Sequence, residues 1–229
     1  MNQDKEKKKP LTLANLKRGA SEFARSLSRR DLPELFGATD GKAVGTYVEH
    51  EFHRFLGETY RYEVGSAASG IDFPHIDVDM KVTSVRQPQS SCPYRSADQK
   101  VYGLGYHLLV LVYSKFDDPQ RRIANLDFQH VVFVNKTHTG DYQTTRGILE
   151  ILTRGGNRDD LVGYLEERNL PLDEIGRERL AKSILHTPPT QGLLTISNAL
   201  QWRLQYGRVV ELAEKGGTQG ILNLLRDHT

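Results

Sequence analysis

Asp72, Asp77, Asp79 and Lys81 crowd into the stretch GIDFPHIDVDMKVTS, residues 70 to 84. Ile76, Val78, Met80 and Val82 alternate with Asp77, Asp79, Lys81 and Thr83. Strand side chains point to opposite faces with period two, so the pattern predicts a half-buried strand carrying Asp77, Asp79 and Lys81 on one face. Aspartate is a poor strand former, and two of them in one short strand lower its stability. Asp72 lies just ahead, in GIDFP, where Pro74 interrupts any ladder and predicts a turn that folds Asp72 back beside the strand. Carboxylates gathered in this way repel one another unless protonated or holding a cation, and an all-oxygen set suits Mg²⁺. Such an ion neutralises a phosphate and the charge that grows as water attacks phosphorus, while a nearby ammonium orients the water. The chemistry so assembled is phosphodiester hydrolysis.

Stable elements must hold these groups in place. A chain of 229 residues with 38% apolar and 26% charged residues has ordinary soluble composition and room for one core domain with an appendage. No apolar run approaches the roughly 18 residues of a membrane span, and MNQDKEKKKP has no apolar stretch after it. Neither a secretory signal nor an integral membrane protein is expected. Cys92 is the sole cysteine, which rules out an internal disulfide and makes a cytoplasmic setting the default. A net charge of +2 permits a nucleic-acid partner without pointing to one.

Residues 1 to 9 read as a disordered basic tail. Apolar spacing predicts a helix from Asn15 to about Ser28. It predicts another from Asp40 to Leu56, with Val44, Tyr47, Val48, Phe52, Phe55 and Leu56 on its stripe and Gly57 as a stop. YRYEV reads as a short strand. SADQ, residues 96 to 99, has the form of a capping box opening a short helix. HLLVLVY at 107 to 113 and VVFV at 131 to 134 read as strands buried on both faces. Beyond Arg146 every stretch, including TISNALQWRLQYGRVVELAEKGG, has helical spacing. The expectation is an α/β protein with a central mixed β-sheet flanked by helices: a core over 10–145 and a helical C-terminal region over 146–229.

Asp72, six intervening residues and then Asp79-Met80-Lys81 resemble the D...(D/E)-x-K signature of the PD-(D/E)xK nuclease superfamily, which includes most type II restriction endonucleases. GIDFPHIDVDMKVTS is most similar to the corresponding run in MutH-like mismatch-repair nicking enzymes and GATC-cleaving restriction enzymes. VGTYVEHEF resembles the helix that precedes it there, with Gly45 four residues before Glu49. The resemblance spans residues 41 to 86. It implies a restriction-endonuclease-like core in which Asp72, Asp79 and the Met80 carbonyl bind the metal, Lys81 lies beside the attacking water, and Glu49 is an accessory acid. Ile71 stands where the motif's name has proline, and Asp79 replaces the commoner glutamate. The shorter side chain brings the metal closer to the strand. Periodicity alone places Glu51, not Glu49, within the apolar arc of its helix. The resemblance selects Glu49, where Gly45 one turn earlier leaves room for a phosphate or metal. Asp77 is read as a supporting or solvated acid.

The segment SVRQPQSSCPYRSADQK, residues 84 to 100, offers Arg86, Arg95, Gln99 and Lys100 for phosphates and base edges. Lys100 is preferred among them, on the first turn of the capped helix. His50 and His53 do not form H-E-x-x-H and read as surface residues, and His75 and Cys92 have no partner for a zinc site. These features imply a Mg²⁺-dependent type II restriction endonuclease acting on double-stranded DNA. It would leave 5′-phosphate ends and work as a homodimer on a palindromic site. A nicking or structure-specific repair endonuclease is the first alternative; a non-catalytic DNA-binding protein on a decayed nuclease core is the second.

Overall fold

The computed structural model describes residues 8–65, 70–92, 95–197 and 202–226. In chain order these form β1 (Lys9–Pro10), α1 (Leu13–Leu27), α2 (Gly41–Thr59), β2 (Tyr60–Arg61), β3 (Val78–Ser84), β4 (Gln89–Ser91), α3 (Gln99–Tyr102), β5 (His107–Asp118) and β6 (Ile123–Val134). There follow α4 (Tyr142–Thr153), α5 (Arg158–Glu167), α6 (Glu174–His186), β7 (Thr195–Ile196), β8 (Arg203–Gln205), α7 (Gly207–Lys215) and β9 (Ile221–Asn223). The protein is mixed α/β, as its sequence predicts. It divides into two compact units, one of Met1–Pro88, Leu108–Phe133 and Leu212–Thr229, the other of Gln89–His107 and Val134–Glu211.

The first unit holds a four-stranded sheet in the order β3-β5-β6-β9. Thr12 caps α1 by accepting from the Asn15 amide, and Asp40 caps α2 by accepting from Lys42. Val44, Val48, Phe52 and Leu56 recur every four residues on α2 and are all buried, so one face of this helix enters the core. The Phe52 ring meets Phe23 of α1 at 5.0 Å and Phe73 at 6.1 Å between centroids. Two bounds differ from the expected ones. Helix α2 runs through Gly57 to Thr59, since nothing at Gly57 forces a left-handed turn. Lys9, expected in the tail, and Pro10, the first residue of the expected core, pair in parallel with Tyr60 and Arg61; residues 1–7 lie outside the described residues. Strand β5 extends past its apolar run into a half-exposed polar end, and β6 begins ahead of its apolar run with residues that alternate between buried and exposed, which is why apolar runs alone mark only part of each.

In the second unit α4, α5 and α6 pack in sequence around Ile148, Leu161, Leu165, Leu180 and Ile184, beside an antiparallel sheet in the order β4-β8-β7. The expected continuous helix over 195–217 is corrected here. Trp202, Leu204 and Tyr206 are buried while Arg203 and Gln205 between them are exposed, so WRLQY carries the period of a strand. Helix begins only at Gly207, and residues 198–201 lie outside the described ones. The capping box of SADQ is met in part: Ser96 Oγ accepts from the Asp98 amide at 3.2 Å and Gln99 Oε1 from the Arg95 amide at 3.1 Å, ahead of a four-residue α3 that Gly103 closes. No helix among the described residues is long and apolar enough to cross a membrane.

Candidate active site

Local sequence builds the turn that carries Asp72. Pro74 to Ile76 form a single 3₁₀ turn, and Asp77 closes it in the left-handed region at φ 51°, a conformation aspartate tolerates better than most residues. Phe73 and Val78 then exchange backbone hydrogen bonds of 2.9 and 3.2 Å, which pins the start of β3 against the residue after Asp72. The Asp72 carboxylate folds back as expected and accepts from the Met80 amide at 2.7 Å. Gly65 donates to the Asp72 carbonyl at 2.9 Å, and a Cβ at Gly65 would lie 1.8 Å from the Ile71 carbonyl oxygen. Only glycine fits there. Asp77 therefore belongs to the turn and not to the strand face on which alternation placed it.

Asp79 points from β3 into the protein with 4% of its side chain exposed, and its Oδ2 accepts from the Lys81 ammonium at 2.7 Å. Burial pushes its carboxyl from 3.8 up to about 7; Lys81 opposes the shift, and Asp72 adds to it. Glu49 reaches the same region from α2, where a Cβ on Gly45 would meet only Val82, at 4.0 Å. Its carboxyl is raised by burial and by the charge of Asp72, while His50 and Lys81 lower it. Carboxylate oxygens of Glu49 and Asp72 and a ring nitrogen of His53 lie within 4.8 Å of one another. His53 was expected at the surface; it lies one helical turn after Glu49 on the same face of α2. The E-x-x-x-H spacing was the available signal, and a search for H-E-x-x-H passes over it. These donors fit a divalent cation: carboxylate oxygens gathered with one imidazole, on rigid elements.

The type II restriction enzyme NspV family matches residues 10–223. The type II restriction enzyme NspV of Nostoc sp. is 53% identical over 218 residues, covering 95% of this chain and 98% of that enzyme. The chain belongs to the NspV family. No solved structure matches it.

Within the NspV-family span, the two candidate acids on α2 have separate surroundings. The Glu51 carboxylate bonds Arg30 at 2.8 Å and also Arg54. Burial raises its pKa, but the two guanidinium groups outweigh burial and hold it below the ordinary value. Its place in the apolar arc is answered by those arginines, while Glu49 keeps company with Asp72. Glu49→Gln is expected to slow cleavage by about 10- to 100-fold, and Glu51→Gln by less than about 3-fold, in single-turnover assays. Equal losses would remove the distinction.

The expected DNA contacts of this NspV-family chain separate in the same way. Arg86 and Arg95 are exposed. Lys100 is corrected: it is 1% exposed, its ammonium donates to the Ile196 carbonyl at 3.0 Å, and burial lowers its pKa. Gln99 is buried as well, accepting from the Arg95 amide and donating to the Leu104 carbonyl. Their polar ends are turned inward because the short α3 lies inside its unit. Cys92 is buried, in no disulfide, with its sulfur 3.9 Å from the Tyr106 hydroxyl.

Proposed function

We propose that this NspV-family chain is a Mg²⁺-dependent, site-specific endonuclease of the PD-(D/E)xK type and MutH-like branch. It acts on double-stranded DNA as a homodimer and leaves 5′-phosphate and 3′-hydroxyl ends. The observation that supports this reading best is the Lys81 ammonium, 2.7 Å from Asp79 and on the strand against which Asp72 folds back.

Each residue has a part that follows from its surroundings. Asp79 fixes the Lys81 ammonium, which is 23% exposed and so reaches the solvent side, where a water can be oriented toward phosphorus. That water's oxygen bonds to phosphorus as the bond to the 3′ oxygen breaks, and the 3′ oxygen takes up a proton. Asp72 is held by the Met80 amide, and Glu49 by α2, so neither must reorganise as charge develops. When bound, a divalent cation supplies charge neutralisation at the scissile phosphate. Arg86 and Arg95 serve as phosphate contacts, and the C-terminal region serves recognition or dimerisation.

The test is incubation of plasmid and phage DNA with the protein and Mg²⁺. Discrete fragments are expected, and their 5′ ends should accept a kinase label only after phosphatase treatment. Nicked circles without linear fragments would overturn double-strand cleavage, and DNA left intact in Mg²⁺ would overturn the reading as a whole.

A further inference from the structure

The hydrogen bonds of His53 determine where its proton sits. The Tyr62 hydroxyl donates to the His53 main-chain carbonyl at 3.0 Å, and the same hydroxyl oxygen lies 3.0 Å from His53 Nδ1. A phenol has one hydrogen to give. With that hydrogen given to the carbonyl, the phenol oxygen is the acceptor and Nδ1 the donor. Neutral His53 is therefore the Nδ1–H tautomer, with its lone pair on Nε2.

Nε2 is enclosed and has no hydrogen-bond partner. The ring cannot easily turn to find one, since it stacks on Tyr62 at 5.9 Å and packs on Phe73 at 5.0 Å. One ring nitrogen of His53 lies within 4.8 Å of carboxylate oxygens of Glu49 and Asp72, and with Nδ1 turned to Tyr62 the nitrogen left for them is Nε2; electron donors so gathered repel one another unless a proton or a cation lies between them. The bonding pattern is that of a metal-binding histidine, whose other nitrogen donates to a partner that fixes ring and tautomer.

We propose that His53 Nε2 is a nitrogen ligand of the divalent cation, oriented by Tyr62 as a positioning residue, so that the centre has mixed oxygen and nitrogen donors. The inference rests on the metal reading given under Proposed function. It extends that reading to selectivity: an imidazole in the set favours Mn²⁺ over Mg²⁺, whereas oxygens alone suit Mg²⁺.

The probe is Mn²⁺ added to the DNA-free protein, followed by electron spin-echo modulation for nitrogen coupling and by calorimetry for affinity. Wild type is expected to show ¹⁴N modulation and to bind Mn²⁺ more tightly than Mg²⁺. His53→Gln should lose the modulation and weaken Mn²⁺ binding by about 10-fold or more, with a smaller change for Mg²⁺. Tyr62→Phe keeps the ring packing and should retain the modulation at reduced affinity, which tests the inference even if His53→Gln folds poorly. Mn²⁺ bound by wild type without ¹⁴N modulation, and lost in Asp72→Asn, would overturn the role of His53 while sparing the metal site. A wild type that binds neither ion would overturn both.

Discussion

Lys81→Ala is expected to slow DNA cleavage by about 1,000-fold or more while DNA affinity changes by only a few-fold. Among the described residues the ammonium is the cation in contact with the enclosed Asp79, and its charge also reaches Glu49. Removing it leaves the carboxylates of Glu49, Asp72 and Asp79 without that opposing charge, and the water loses its orienting donor. Binding is affected less, because affinity for the duplex is spread over many phosphate contacts. Lys81→Arg should recover little, since a planar guanidinium does not reproduce a compact ammonium 2.7 Å from Asp79. Single-turnover cleavage and an electrophoretic binding assay on the same duplex separate the two effects. Cleavage within 10-fold of wild type would remove Lys81 from the mechanism.

What could be read from sequence divides by the range of the interactions involved. The Asp72 turn and β3 were legible because proline and period-two alternation act over a few residues. Asp77 was misplaced by the same alternation, which cannot register that the strand begins one residue later, after a left-handed turn. The helices α1 and α2 were legible because each buries one regular face. Glu51 shows the limit: its arc was read correctly, but whether a buried acid is a site or half of an ion pair depends on Arg30, which is distant in sequence. Lys100 is the converse, a lysine in a polar segment drawn inward by the Ile196 carbonyl and facing Asp141. Strand β8 was hidden because Trp202, Leu204 and Tyr206 sit in a tract whose neighbours also suit a helix. His53 was missed for want of its partners: Tyr62 lies on the segment leaving α2 and Asp72 on the turn before β3, and only the fold brings them together.

Asp79→Asn is expected to abolish cleavage and yet to stabilise the metal-free protein above neutral pH. The folded state holds the Asp79 proton more tightly than the unfolded chain does, with a pKa of about 7 against an ordinary 3.8. Between those values the unfolded state binds fewer protons, so stability falls as pH rises from about 4 to about 7 and levels off above. The shift is upward, so the contribution is fully present at low pH and lost at high pH. An amide of nearly the same size does not ionise, and the variant lacks this slope. The Lys81 ammonium loses this one contact, but at 23% exposure it can reach water. At pH 8 the variant should exceed wild type by about 1 to 3 kcal/mol, and near pH 4 the two should converge. Mg²⁺ should reverse the order, because a cation favours the ionised carboxylate and so stabilises wild type alone. Thermal melts of both proteins across pH 4 to 8, with Mg²⁺ and with chelator, read both effects. Parallel curves would mean that the enclosed carboxylate of Asp79 imposes no cost for a cation to relieve.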